Sequence, residues 1–188
     1  MNTTNATTTV RLAPRTIANA PEGSRSTLEQ IQKGYGFIPN LMATFANSPA
    51  VLNGYLALDA QFNQTGFSPL ERQLVLLTAS VENECRYCTA APSTILKAMM
   101  KAEPALVAAI RANTPLADAK LDALVTLVRE IVANRGYAAK STVAAFIAAG
   151  YRNEQLAEVL LGVALKTISN YLDHLNPVAI EAAFAGEA

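Results

Sequence analysis

Leu70, Leu74, Leu77 and Val81 recur at i, i+4, i+7 and i+11, which puts them on one stripe of an α-helix. Ser68 stands where such a helix wants its N-cap, and Pro69 suits the first turn. Leu121, Val125, Val128 and Val132 form a second stripe, closed by Arg135 and Gly136. Leu156, Leu160, Val163 and Thr167 form a third that runs on toward Tyr171, with Asn153 as the expected cap. Spacing predicts further helices over about 25–34, 48–63, 93–101, 103–112 and 140–149. Gly36/Pro39, Gly66/Pro69, Pro104, Pro115 and Gly150 punctuate them. No segment sustains a period of two between turn residues, so the predicted fold class is all-α. The 188 residues suit one core. The expected organisation is a flexible N-terminal arm over 1–20 and a single helical domain over 21–188.

A weak internal repeat accompanies this pattern. Set Gln73 on Glu158, Val75 on Leu160 and Ala79 on Ala164; Ser68 then falls on Asn153, Cys85 on Asn170 and Cys88 on Asp173. Two pseudo-repeated helix pairs about a pseudo-twofold would produce it. So would any two amphipathic Leu/Val/Ala helices.

Charge narrows the function classes. Fifteen basic residues balance fifteen acidic ones, which gives no footing for nucleic acid or an acidic membrane surface. Only 16% of residues are charged while 51% are hydrophobic, a composition that points to surface buried between subunits and hence to a homo-oligomer. Apolar stretches are interrupted well before the roughly 20 residues that a bilayer requires. Residues 1–20 are rich in Thr, Ala and Asn and lack an apolar segment, so the expected location is the cytoplasm.

The two cysteines are Cys85 and Cys88, in Cys85-Arg86-Tyr87-Cys88. A C-x-x-C pair can close a small disulfide. At a helix N-terminus the unpaired N–H groups and the helix dipole favour thiolate over thiol. Such a thiolate attacks a peroxide or a disulfide, and the neighbouring thiol resolves the product. Two plainer readings compete. Half of a structural zinc site would need four Cys or His ligands, and His174, the single histidine, brings the count to three unless an interface completes it. Two core cysteines packed as small hydrophobes are the other, against which stand the polar neighbours Glu82, Asn83, Glu84 and Arg86. No phosphate loop, H-E-x-x-H or nucleophile elbow is present.

Leu70-Glu71-Arg72-Gln73-Leu74, followed by Cys85-Arg86-Tyr87-Cys88-Thr89-Ala90-Ala91, resembles the core motif of the carboxymuconolactone decarboxylase / alkylhydroperoxidase D-like superfamily, an R-E-L helix start followed by C-x-Y-C-x-x-A-H. Gly36-Phe37-Ile38-Pro39-Asn40-Leu41 with Ser48-Pro49, and Asn170-Tyr171-Leu172-Asp173-His174-Leu175, are similar to the family's N-terminal segment and C-terminal helix. The resemblance implies an all-helical bundle that assembles as a dimer, trimer or hexamer. It implies Cys88 as the peroxidatic thiolate and Cys85 as the resolving thiol. The substrate would be a hydroperoxide or disulfide, and an external dithiol donor, a redox protein, would reset the pair with no bound cofactor or metal. The decarboxylase branch relies on histidine rather than a cysteine pair, so the chain resembles the redox branch more.

Two positions depart from the family pattern. The family's glutamate is Gln73 here and its histidine is Pro92. Both relay protons to and from the attacking thiol, and neither Gln nor Pro has a titratable group. Inside a helix, Pro92 would also meet the carbonyl of Cys88, so the helix is expected either to begin near Pro92 or Ser93 or to kink beneath the cysteine. Glu84, His174 and Gln73 itself are the candidate relay residues. Against this, Glu71, Glu82 and Glu84 read more readily as solvated or salt-bridged than as catalytic, Ser93 as a helix cap, Tyr87 as packing with a wet hydroxyl, and His174 as a histidine at a helix C-terminus. Three functions follow: a thiol peroxidase or disulfide reductase with an antioxidant role, a family member whose relay has lapsed and which binds, assembles or senses redox state, and a decarboxylase-like lyase.

Overall fold

The computed structural model describes residues 11–187. Among them the chain forms α1 (Glu22–Tyr35), α2 (Asn40–Phe45), α3 (Pro49–Phe62), α4 (Pro69–Glu82), α5 (Arg86–Thr94), α6 (Pro104–Arg111), α7 (Ala119–Ala133), α8 (Lys140–Ala148) and α9 (Asn153–Leu175), with no strand. The all-α expectation holds. None of these helices is long and apolar enough to cross a membrane. The short α2, which follows Pro39, was not anticipated, because six residues carry too little periodicity to read.

Ser68 starts α4 as expected. Its hydroxyl accepts from Glu71 N at 3.2 Å, and the Glu71 carboxylate accepts from Ser68 N at 2.8 Å, pairing two orphan amides of the first turn. Glu71 is therefore a buried cap, and it also meets Lys120 at 3.3 Å. Helix α4 is buried on two sides. Leu74 and Leu77 join Leu96, Val107, Ile110 and Val125 in one cluster, while Val75 and Ala79 join Phe62, Val159, Leu165 and both cysteines in the other. Helices α5, α7 and α9 pack around it.

Helix α9 differs from expectation in two respects. Asn153 is its first helical residue rather than its cap; Arg152 holds the cap position, where its N–H donates to the buried Gln155 at 2.9 Å. The stripe Leu156, Leu160, Val163, Thr167 and Tyr171 is not the face that packs inward: Leu160 and Tyr171 are exposed and the others half-buried. The buried face carries Gln155, Val159, Gly162, Leu165, Lys166, Ser169 and Asn170. The helix is apolar over more than one face, and Gly162 selects which one approaches α4.

The expected arm over 1–20 falls partly outside the described residues. Within them, Leu12 N donates to Asn176 Oδ1 at 2.8 Å and Arg15 N to Ala43 O at 2.9 Å, so residues 11–20 lie against the body. The chain beyond α9 folds back over α5. Glu181 accepts from the Tyr87 hydroxyl at 2.7 Å, and Glu187 pairs with Lys97 at 2.8 Å and Arg111 at 3.3 Å.

Candidate active site at the cysteine pair

Asn83 and Glu84 turn the chain out of α4 and into α5, Glu84 taking a left-handed φ of 55°. Cys85 N donates to Ser80 O at 3.0 Å, which fixes the end of that turn. Cys85 is the N-cap of α5: its sulfur accepts from Cys88 N at 3.2 Å. Cys88 therefore lies in the first helical turn, where amide dipoles favour a thiolate.

This overturns one of the two expectations for Pro92. The helix does not begin near it: α5 runs from Arg86 to Thr94 with Pro92 inside. Pro92 offers no N–H to the carbonyl of Cys88. The winding loosens directly afterwards, into a π-helical turn at Ile95–Met99 closed by Met100 N on Ile95 O at 2.9 Å. Ser93, expected as a cap, is buried in mid-helix and its hydroxyl has no partner.

The cysteine pair faces α9. Lys166, Ser169, Asn170 and Asp173 follow at i, i+3, i+4 and i+7, one polar stripe along the helix. The Cys85 thiol hydrogen-bonds the Cys88 sulfur and is the largest influence on it. Burial works the other way, but the Lys166 ammonium, the Ser169 hydroxyl and the Asn170 amide reinforce the first effect and bring the Cys88 thiol down to about 6. Cys85 moves in the opposite sense. Its bond to Cys88 and its burial hold it protonated far above the ordinary thiol range. Cys85 Sγ also lies 3.2 Å from Asp173 Oδ2, while Asp173 Oδ1 accepts from Val178 N at 2.8 Å. The pair is thus a thiolate beside a thiol, the electronic arrangement that a two-electron dithiol needs.

Both cysteines are 1% exposed. Cys85 nonetheless forms part of the wall of a cleft of about 370 Å³, together with Val81, Glu84, Arg86, Thr89 and Arg111. Cys88 is not part of that wall.

The relay candidates do not gather at the sulfurs. Glu84 is exposed, and its backbone serves the turn. His174 is exposed and stacks on Tyr171 at 6.1 Å; its neighbour Asp173 is the residue that reaches the pair. Gln73 is half-buried with its Oε1 lacking any hydrogen-bond partner. Tyr87 is not wet: its hydroxyl donates to Glu181 and accepts from Leu41 N at 3.3 Å. Among the described residues no cluster of three His, Cys, Asp or Glu side chains is placed to hold a metal.

Sequence reasoning passed over Lys166 and Ser169 and met Asn170 and Asp173 only as alignment partners. Polar residues recurring at i, i+3, i+4 and i+7 along one stripe of the helix were the available signal. The repeat carried it too, setting Asn170 against Cys85 and Asp173 against Cys88.

No protein-family model matches the sequence, and no curated protein matches it. Solved structures do. A peroxidase-related protein of Ralstonia eutropha JMP134, described as an alkylhydroperoxidase AhpD core, superposes with a TM-score of 0.79 at 21% identity over 90% of each chain. The chain has the AhpD-like fold. A peroxidase-related protein of Silicibacter sp. TM1040 shares it, with a TM-score of 0.80 at 18% identity over 100% of this chain and 98% of the other. The debrominase Bmp8 also has the AhpD-like fold, with a TM-score of 0.77 at 17% identity over 94% and 95% of the two chains.

Proposed function

We propose that the protein is a thiol-dependent reductase of hydroperoxides or disulfides, reset by an external dithiol. The observation that carries this reading is the acidic Cys88 thiol held in the first turn of α5 beside a protonated Cys85. The Cys88 thiolate attacks the terminal peroxide oxygen; an S–O bond forms, the O–O bond breaks, and the alkoxide leaves as an alcohol by taking a proton from water, balancing the one Cys88 released on ionising. Cys85 then displaces hydroxide from the sulfenic acid, forming the S–S bond and water. A dithiol donor returns two electrons and two protons through thiol–disulfide exchange. With a disulfide substrate, Cys88 forms a mixed disulfide and Cys85 releases it.

Mild oxidation tests the proposal. Peroxide should link Cys85 to Cys88, seen by mass spectrometry as the loss of two hydrogens, and Cys88→Ser should abolish peroxide consumption. Absence of the link, or a Cys88→Ser variant as reactive as the parent, would refute it. A brominated pyrrole belongs in the substrate panel, because a structure of Bmp8 holding 2,3,4-tribromopyrrole has the same fold.

Burial favours a second reading. With both cysteines 1% exposed and Gln73 and Pro92 in the relay positions, the pair would serve a binding protein as a slow redox sensor. Pro92→His separates the two. A sharp rise in peroxide turnover would mark a reductase short of one proton donor, whereas no rise would favour the sensor.

A further inference from the structure

Asp173 has a place in the chemistry that the family pattern does not assign. Its Oδ2 lies 3.2 Å from Cys85 Sγ, and its Oδ1 is held by Val178 N at 2.8 Å, from the segment just past α9. One oxygen is anchored and the other is aimed at the resolving sulfur.

The Cys85 proton has two acceptors. In the reduced pair the charged Cys88 sulfur competes for it. Once Cys88 has become a sulfenic acid or a mixed disulfide, that sulfur is neutral and its claim on the proton is lost. The anchored carboxylate remains. No other described side chain fills this role: Gln73 and Pro92 have nothing to titrate, and Glu84 and His174 are exposed and make no hydrogen bond to either sulfur.

We infer that Asp173 is the general base of the resolving step, taking the proton from Cys85 as its sulfur attacks Cys88. With a sulfenic acid the balance is complete. The Cys85 S–H bond breaks and its proton passes to Asp173. The S–S bond forms, the S–O bond breaks, and hydroxide takes the proton from Asp173 to leave as water. The two electrons lost by the thiols have reduced the peroxide. The physiological oxidant in this account rests on the reductase reading; the closure chemistry does not.

Rapid mixing with hydrogen peroxide tests the assignment. In Asp173→Asn, dimedone labelling of Cys88 should appear at the parent's rate, while closure of the disulfide slows about 10²-fold, the low end of general-base contributions. The sulfenic acid accumulates as a result. Asp173→Glu should recover most of the closure rate. Asp173→Ser, which keeps an acceptor near Val178 without the basicity, should close as slowly as the amide. Circular dichroism of each variant establishes that it is folded. A folded Asp173→Asn or Asp173→Ser that closes at the parent's rate would overturn the assignment.

The same series with diamide separates this claim from the reductase reading. Diamide adds to the Cys88 thiolate without any peroxidase activity, and closure expels the reduced hydrazine. If the parent ignores peroxide yet closes with diamide in an Asp173-dependent way, the reductase reading fails and the base assignment holds. If closure with diamide is indifferent to Asp173, the base assignment fails whatever the parent does with peroxide.

Discussion

Gly162 of α9 lies against Val75 of α4 so closely that an added methyl would stand 2.6 Å from Val75 Cγ1, and 2.8 Å from Phe62 Cζ of α3. The absent side chain lets α9 approach, and that approach carries Lys166, Ser169, Asn170 and Asp173 onto the cysteine pair. Gly162→Ala would gain about 1 kcal/mol in helix propensity. Val75 and Phe62 are fully buried branched or aromatic core residues with little room to yield, and overpacking of this kind costs about 1–3 kcal/mol. The net expectation is a loss of stability of roughly 1 kcal/mol for alanine and a failure to fold for leucine. Denaturant melts check the first. Thiol titration of the alanine variant should show Cys88 less acidic, since α9 has been pushed outward.

Lys166 is 5% exposed and makes no salt bridge among the described residues, yet it bears on both Cys88 and Asp59. Lys166→Met keeps the length of the stem and removes the charge. Cys88 should then titrate higher, and its alkylation by iodoacetamide near pH 5, below both titration values, should slow roughly tenfold, which is the effect of about 1.4 kcal/mol lost from the thiolate. An unchanged rate would mean that the ammonium does not act on Cys88.

The cysteine pair also links stability to pH. Cys88 titrates near 6 in the folded protein against an ordinary value of 9.0. A depressed acid stabilises the fold above its unfolded value and loses that contribution as pH falls to the folded one. Reduced protein should therefore gain stability, on the order of a few kcal/mol, between about pH 6 and pH 9. Cys85 has the opposite sign. It stays protonated when folded and ionises when unfolded, so the gain is given back above about pH 9. Cys88→Ser should flatten the rise. Cys85→Ser should flatten both limbs, because the Cys85 hydrogen bond is the main support of the thiolate. Denaturant titration of the reduced variants across this range measures all three.

Much of this architecture is legible from the sequence alone. Ser68 and Pro69 announce α4, and the stripes on α4 and α7 bury Leu74, Leu77, Val125 and Val128 as their spacing implies. The C-x-x-C motif marks the chemistry, and it needs no alignment to be noticed. What failed was orientation. Apolar residues lie on more than one face of α9, so periodicity could not tell its exposed Leu160 and Tyr171 from its buried Val159 and Leu165. A face that receives a thiolate is polar by necessity, and a search for apolar stripes passes over it. Pro92 misled for a different reason. The local rule against proline is correct, but the packed helix holds Pro92 within α5 and winds into a π-helical turn directly after it, which the dipeptide alone does not reveal. His174 was singled out for its titration range, and the shorter carboxylate next to it is the group that reaches the sulfur.

The exposed side of α9 supports self-association. Ala157, Leu160, Ala164, Ile168, Tyr171 and Leu175 are all exposed and fall at i, i+3, i+7, i+11, i+14 and i+18, one continuous apolar stripe of a straight helix. Sedimentation should find a dimer or larger assembly, and Ile168→Glu should shift it toward monomer without loss of helical content. A parent that sediments as a monomer would overturn the homo-oligomer expected from the composition.

Tyr87 ties the segment after α9 to the helix that bears the cysteines. Its hydroxyl donates to Glu181 Oε1 at 2.7 Å and accepts from Leu41 N at 3.3 Å, and its ring meets Phe184 edge-on at a centroid distance of 6.4 Å. Burial and the neighbouring carboxylate both hold the phenol protonated, so it acts as a donor throughout the working pH range. Tyr87→Phe keeps the ring packing but leaves Glu181 and Leu41 N short of a partner, at a cost of about 1–3 kcal/mol. Glu181→Gln should cost less, because an amide oxygen still accepts the bond. If this segment shields the sulfurs, Tyr87→Phe should also raise the rate at which Cys88 is alkylated, by more than the fall in global stability alone would produce. Alkylation measured alongside native-state hydrogen exchange distinguishes the two: exchange that rises only in α5 and residues 176–187 marks local opening, whereas a uniform rise across all the helices would assign the whole effect to lost stability.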